Sequence, residues 1–219
     1  GLPAPWYFEQ NAEFGWLRTA LGGLNNSCGM VHIGNPETAD VSHYHFPARA
    51  AETYGVHDRM ALLPGQLLSY SERWEGDECI LEATGRIVQA QAYGENLVLT
   101  RRYTARLGES RFFMHDTVEN AGWLPTEHML LYHINAGFPI VDDGSEQIAP
   151  VVRPPSIPAG LPASAADEYS RFIAPQRDWQ LQGFELAMGA EADGSVPVAI
   201  VNRDNLGMYA VYNQRQMPN

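Results

Sequence analysis

Proline and glycine interrupt this sequence at short intervals, and that spacing most limits what the chain can fold into. The 219 residues contain 20 glycines and 15 prolines. Between them lie short runs rich in β-branched and aromatic residues, a pattern typical of many-stranded antiparallel proteins. The helix signal is confined to residues 161–170, with Ser164 and Asp167 as candidate caps. The sequence therefore predicts an all-β fold.

The clearest strand signal lies in residues 96–107. Leu97 and Leu99 fall on one face of this segment, while the other face is polar except for Val98, as expected of a half-buried strand. The other predicted strands are 78–90, 111–119, 127–135, 196–202 and 207–213. Short turns join neighbouring members, so we expect a β-meander of consecutive hairpins. The proline-rich segment 149–163 is interpreted as an irregular crossing segment and not as a domain linker, because strand signals lie on both sides of it, and we expect one domain over 1–219.

Charge and composition exclude several functions. The chain carries 26 acidic residues against 14 basic ones, all arginine, and its net charge is −12. Nucleic acids and anionic membranes require clustered positive charge, so neither is an expected partner. No apolar run approaches the roughly 18 residues of a membrane span, and no signal peptide is apparent. Cys28 and Cys79 fit no zinc motif, and they predict reduced thiols in a cytoplasmic protein, with one disulfide as the alternative.

A first candidate site is centred on His133. Asn135 follows two residues later, so both side chains lie on one face of a strand, and Phe138 comes shortly after. An imidazole, an amide and an aromatic ring suit a sugar, because they bind hydroxyl groups and the C–H face. The histidine can also protonate a ring oxygen near neutral pH. The alternative is a core histidine that is hydrogen-bonded to the backbone.

A second candidate site contains His57 and Arg59, which share a face if the chain is extended there. The guanidinium offers a rigid fork of donors for vicinal hydroxyls or for a carboxylate. The alternative is an ion pair between Asp58 and Arg59 in a surface loop.

A metal site is a third interpretation. His43 and His45 would lie on one face of a strand, with Glu52 seven residues later and His128 or His133 completing the set. This arrangement would suit a cupin-like sugar isomerase, although a cupin glutamate lies nearer to its histidines. The alternative places His43 and His45 in an exposed polar loop.

The sequence bears on two further classes of protein. The chain lacks a Gly-x-Ser-x-Gly elbow, which argues against a nucleophilic hydrolase. Aromatic side chains could instead stack on sugars in a binding domain without catalysis, although tryptophans are mostly core residues. The tryptophans are Trp6, Trp16, Trp74, Trp123 and Trp179.

Several motifs together resemble a known family. The segment His133-Ile134-Asn135-Ala136-Gly137-Phe138-Pro139, preceded by the strand end Asn120-Ala121-Gly122, is similar to the aldose 1-epimerase (galactose mutarotase) superfamily. The closest form is that of the DUF4432 branch. Three more segments resemble that branch: Ser27-Cys28-Gly29-Met30-Val31-His32, Gly55-Val56-His57-Asp58-Arg59 and Trp16-Leu17-Arg18. The resemblance covers most of residues 6–142, in matching order and approximate spacing.

This resemblance implies a large antiparallel β-sandwich with a concave sugar-binding face. It implies that His133 is the general acid, that His57 and Arg59 bind substrate hydroxyls, and that His32 lines the same cleft. No cofactor is implied. Asp58 replaces the glycine of the family motif, which bears on the geometry of its loop.

The resemblance is incomplete in one respect. The general base of the family is a glutamate in a Gly-x-Glu-Pro-like segment, and neither Glu185 nor Glu191 has that context. We therefore expect the chain to be a piece of a longer family domain, truncated at both ends. Unpaired strand edges would follow, and we expect a partner chain, such as a second copy, or a rearranged edge to cover them. The sequence predicts an aldose 1-epimerase-like isomerase, with a sugar-binding domain or a metal-dependent isomerase as alternatives.

Overall fold

The computed structural model of the chain describes residues 23–44, 51–157, 159–179 and 182–218. The chain divides into two compact units, Gly1–Asn135 and Ala136–Asn219. The strands of the first unit are β1 (Cys28–Met30), β2 (Glu37–Asp40), β3 (Ala51–Tyr54), β4 (Gln66–Glu75), β5 (Glu78–Ala90), β6 (Asn96–Arg106), β7 (Phe112–Asn120) and β8 (Met129–Leu131). Two 3-10 turns, Ser42–Tyr44 and Met60–Leu62, lie between them.

The largest sheet of the first unit is antiparallel and has the strand order β4-β5-β6-β7. Its strands follow one another along the chain, which confirms the predicted meander for this part. On β6, Leu97 and Leu99 are 2% and 3% exposed, so the predicted apolar face is the buried one. Strand β4 escaped prediction because it is exposed along its whole length and so lacks a periodic apolar face.

The segment predicted as a third meander strand behaves differently. Strand β8 does not pair with β7 but with β1, in a register that matches Cys28 with Leu131. An isolated bridge between Asn25 and Ile134 continues the same register. The prediction was therefore wrong about the partner of this strand. We call residues 25–30 and 129–134 the β1–β8 ribbon.

The core of the first unit lies between the large sheet and this ribbon. Buried side chains from β6, from the ribbon and from the 3-10 turn at Met60–Leu62 pack together there. The buried cluster comprises Met30, Val31, Met60, Leu97 and Leu99. Partly buried side chains from β3, β5, β7 and β8 surround it, namely Tyr54, Ile87, Val118 and Leu130. Burial of these apolar groups is the main force that holds the ribbon on the sheet.

The second unit is also built on antiparallel strands, β9 (Glu146–Ile148), β10 (Ser195–Val201) and β11 (Gly207–Asn213), in the order β11-β10-β9. The predicted hairpin around residues 203–205 is confirmed. One short helix, α1 (Ala165–Glu168), lies in the predicted helical region. Ser164 precedes it but makes no side-chain cap, and Asp167 lies inside the helix. Among the residues described, no helix has the length and apolar character needed to cross a membrane.

Candidate functional site

The fold brings His57 and His133 together. Their ring centroids are 6.1 Å apart and the rings lie at 62° to each other. His133 comes from the end of the β1–β8 ribbon, where Asn26 donates a backbone hydrogen bond to its carbonyl. His57 comes from a turn in the left-handed backbone region, and its carbonyl accepts from the backbone N–H of Gly29. The ribbon therefore positions both histidines, which sequence reasoning had assigned to separate motifs.

The tautomer of His57 follows from one hydrogen bond. The backbone N–H of Gly34 donates to Nδ1 of His57 at 3.0 Å. Because a backbone N–H can only donate, Nδ1 must be an acceptor and the ring hydrogen resides on Nε2. Burial, and then the nearby His133 and His32 rings, lowers the pKa of His57. His57 is thus a neutral imidazole that offers an N–H group.

His32 carries its ring hydrogen on the same nitrogen as His57. Its Nε2 lies 2.7 Å from the backbone oxygen of Asn35, which can only accept, so Nε2 carries the hydrogen. Its Nδ1 is 3.8 Å from a carboxylate oxygen of Glu37. The ring is 6% exposed and stacks on Tyr54 with centroids 5.6 Å apart. Two consecutive residues thus hold the two rings: Gly34 bonds His57, and Asn35 bonds His32. His32 also lines a cavity of about 120 Å³.

Arg59 is not a free donor fork. One of its terminal nitrogens is ion-paired with Glu95, a carboxylate whose side chain is only 2% exposed. Gln91 donates to the other oxygen of Glu95 at 2.8 Å. A buried carboxylate of this kind needs a positive partner, so the ion pair fixes the guanidinium in the first unit. Substrate binding by Arg59 stays a prediction.

The structure at position 58 accommodates an aspartate where the resemblance implies a glycine. Its φ is +57°, a left-handed conformation that glycine adopts freely and that aspartate tolerates. The carboxyl group is buried and accepts hydrogen bonds from Gln89 Nε2 at 2.6 Å and from the Val31 N–H at 3.4 Å. Burial raises the pKa of Asp58 in spite of these bonds. The surface ion pair considered for Asp58 and Arg59 is therefore wrong, because Asp58 is turned inward.

Asn135 and Phe138 lie in different units of the chain. Asn135 is half-buried, and its side-chain amide donates to the backbone oxygen of Gly23 at 2.8 Å. Its backbone N–H donates to the Leu24 carbonyl, so Asn135 extends the pairing of the ribbon by one residue. Phe138 belongs to the second unit, where its ring is 82% exposed. Contact of either residue with a sugar stays a prediction.

The structure describes only part of the residue set that was considered for a metal site. His43 lies in a 3-10 turn and not on a strand, and its ring packs against Tyr44 with centroids 4.0 Å apart. Glu52 accepts a hydrogen bond from Gln91 at 2.8 Å. His45 lies outside the described residues. Within the ranges that the structure covers, no group of three or more His, Cys, Asp or Glu side chains could hold a metal ion.

The three tryptophans within the described ranges are exposed and do not belong to the core. Trp74, Trp123 and Trp179 are 60%, 100% and 52% exposed, while Trp6 and Trp16 lie outside the described residues.

The two glutamates considered for the general base, Glu185 and Glu191, both belong to the second unit.

Sequence reasoning missed a part-buried polar cluster that includes Tyr132, the residue before His133. Arg101 on β6 forms two hydrogen bonds with Asp116 on β7, at 2.7 and 2.6 Å. It also donates to Ser27 Oγ at 2.8 Å, and the Tyr132 hydroxyl donates to Asp116 at 2.7 Å. We call Ser27, Arg101, Asp116 and Tyr132 the Arg101 cluster. The predicted hairpin of β6 and β7 could have revealed this cluster, because Arg101 and Asp116 are direct cross-strand partners.

These features define an all-β antiparallel sandwich protein with a histidine pair beside a short ribbon. The chain belongs to the DUF4432 family, a domain of unknown function, whose model matches residues 1–219. It is also similar to the crystal structure of a "putative aldose 1-epimerase" from Klebsiella pneumoniae subsp. pneumoniae, with a TM-score of 0.84 at 20% identity. That likeness covers 97% of this chain and 53% of the other, so the chain spans about half the length of that protein.

At this identity the likeness concerns the fold alone, and it confirms the predicted sandwich. Among curated proteins, none matches the chain.

Proposed function

We propose that this chain binds a sugar at His57 and His133 and interconverts its anomers by acid–base catalysis. The observation that carries the proposal is the histidine pair itself, with rings 6.1 Å apart and His57 held as a neutral N–H donor. A pair of imidazoles suits a sugar ring, which needs both a proton source and hydroxyl contacts. The resemblance to aldose 1-epimerases and the family membership agree with this choice.

The reaction assigns different work to the two histidines. His133 donates a proton to the ring oxygen while a base removes the proton of the anomeric hydroxyl. The bond between C1 and the ring oxygen breaks, and the open-chain aldehyde forms. Rotation about the adjacent carbon–carbon bond and closure by the reverse proton transfers give the other anomer. His57 donates a hydrogen bond from Nε2 throughout and remains uncharged.

The general base is unassigned, and three buried carboxyl groups of the first unit are poor choices. Asp58 accepts from Gln89, Glu95 is paired with Arg59, and Asp116 is paired with Arg101. Each of these carboxyl groups already forms a hydrogen bond or an ion pair within the protein. The base in this proposal is therefore a different residue. Sugar contacts by Arg59, His32 and Asn135 belong to the same proposal.

Saturation-transfer NMR tests the proposal directly. The exchange between α and β anomers is measured over a panel of aldoses and uronic acids, with wild type and His133→Ala. We expect catalysed exchange in wild type and a loss of about 10²- to 10⁴-fold in the variant, the range typical of a general acid. His115→Ala is the matched control, because His115 is an exposed histidine on β7.

Two outcomes would contradict the proposal. If wild type catalyses no exchange on any sugar of the panel but a sugar still broadens its resonances, the chain is a binding domain. If exchange persists unchanged in His133→Ala, the acid is a different group.

A further inference from the structure

The Arg101 cluster lies on the side of the β1–β8 ribbon that faces the large sheet. Side chains on a strand alternate between its two faces, so Tyr132 and His133 point in opposite directions. Tyr132 points toward Asp116, with which its hydroxyl forms a hydrogen bond, and His133 points toward His57. The cluster therefore contacts the ribbon at the residue directly before the candidate acid.

The cluster also holds the other strand of the ribbon. The register of the ribbon places Ser27 opposite Tyr132, and Arg101 donates to the Ser27 hydroxyl at 2.8 Å. The Arg101 guanidinium lies 5.6 Å from the centroid of the Tyr132 ring, within the range of a cation–π contact. One guanidinium thus contacts both strands of the ribbon and ties them to β6 and β7.

Burial makes this connection rigid. The side chains of Arg101 and Asp116 are 15% and 4% exposed, so water competes little for their hydrogen bonds. Burial and the bond to Asp116 raise the pKa of Tyr132, which keeps its hydroxyl protonated and donating. A charge-assisted, bidentate pair that also accepts from the Tyr132 hydroxyl and donates to Ser27 Oγ has a narrow range of allowed geometries.

We propose that the Arg101 cluster is a positioning device for His133, which fixes the ribbon on the sheet so that the imidazole keeps its separation from His57. This inference rests on the proposed function for its catalytic consequence. Its structural content, the dependence of the His133 ring position on the Tyr132 hydroxyl, can be tested separately.

The test compares Tyr132→Phe with Tyr103→Phe. The first removes the hydroxyl that binds Asp116 but keeps the ring beside Arg101. The second is the matched control, because the Tyr103 hydroxyl accepts a 3.3 Å hydrogen bond from the same guanidinium but does not belong to the ribbon. We expect Tyr132→Phe to lower kcat of anomer exchange by about 10-fold with KM within about twofold, since small misplacements of a catalytic group are costly. Tyr103→Phe should leave both constants unchanged.

Two further readouts separate positioning from a general structural role. The NMR cross-peaks of the His133 ring should move in Tyr132→Phe and remain in place in Tyr103→Phe. In a His133→Ala background, adding Tyr132→Phe should cause no additional loss of exchange. Ser27→Ala, which removes the contact with the other strand, should shift the same His133 cross-peaks.

The inference is overturned if the His133 ring resonances do not respond to Tyr132→Phe, or if the two substitutions reduce exchange independently. If wild type exchanges no sugar, the proposed function fails while the ring resonances still decide whether the cluster positions His133.

Discussion

Asp58 offers the sharpest test of how this site is built. Its carboxyl group is 6% exposed, and its Oδ2 accepts from Gln89 Nε2 at 2.6 Å. The other atom of that amide, Gln89 Oε1, is buried and has no hydrogen-bond partner in the part of the chain that the structure describes. We predict that Asp58→Asn stabilises the protein at pH 7. Asparagine can accept from Gln89 through its oxygen and donate to Gln89 Oε1 through its amide.

The expected gain is about 1 kcal/mol. A buried acceptor without a partner costs roughly 1–3 kcal/mol, and a net neutral hydrogen bond contributes roughly 0.5–1.5 kcal/mol. Loss of the charge-assisted bond from the Val31 N–H and of the attraction to Arg59 offsets part of this gain. Asparagine also tolerates the φ of +57° at this position, so the backbone should not change.

The gain should depend on pH in a defined direction. Burial raises the pKa of Asp58 above its usual value of 3.8, so the folded protein binds a proton that the unfolded chain has already released. Wild type therefore loses stability as pH rises from the unfolded pKa through the folded one. Asparagine does not titrate. The difference in free energy of unfolding between variant and wild type should be smallest in acid, grow through this window and stay constant above it.

Urea unfolding followed by circular dichroism from pH 4 to pH 8 measures this difference. Asp58→Ala is the control, because it leaves both ends of the Gln89 amide without this partner and places alanine at a positive φ. It should lower the free energy of unfolding by about 2 kcal/mol. The reasoning is refuted if Asp58→Asn is less stable than wild type at pH 7, or if its advantage does not vary with pH.

Three other predictions follow from single contacts. Gly29→Ala should lower the free energy of unfolding by at least about 2 kcal/mol in urea titrations, because φ is +106° and a Cβ would lie 2.8 Å from the Met129 carbonyl oxygen; equal stability would contradict this. If His57 acts only as a neutral donor, the amide of His57→Gln can replace its Nε2–H group, and this variant should retain at least about a tenth of the anomer exchange. The amide of His57→Asn is too short to reach the same position, so this variant should be as slow as His57→Ala. Burial raises the pKa of Cys28 to about 12, so Cys28 and the buried Cys79 should react with a disulfide reagent at pH 8 only as fast as the protein unfolds.

The alternation of apolar and polar residues predicted those strands that bury one face on the core. The alternation of Leu97 and Leu99 placed β6 and its buried face correctly, because one side of that strand lies on the core. Strand β4 is defined by its pairing with β5 and not by burial, so no periodicity marks it. The pairing of β8 with β1 joins segments about 100 residues apart, and no local signal specifies such a partner.

In the site, likewise, local motifs identified residues but not the contacts that depend on distant segments. His57 and His133 could be identified as chemistry-bearing residues from their motifs, but their proximity depends on the ribbon. The tautomer of His57 depends on the Gly34 N–H, 23 residues away in sequence. The Arg101–Asp116 pair could be predicted once the hairpin was assigned, but a turn centred one residue too late would have matched Arg101 with Val118 instead.

The residue that departs from the family motif shows why such a departure is tolerated. His57 and Asp58 both have positive φ, so the chain turns sharply where it presents the imidazole. Glycine at position 58 would adopt this turn freely, but it would leave the turn without a side-chain contact. Aspartate adopts the same turn and links it to β5 through Gln89 and to the residue after β1 through Val31. Because the Gly34 N–H holds the ring from a third direction, the orientation of His57 is overdetermined. The desolvation of one carboxyl group is therefore the cost of a rigid donor at the candidate site.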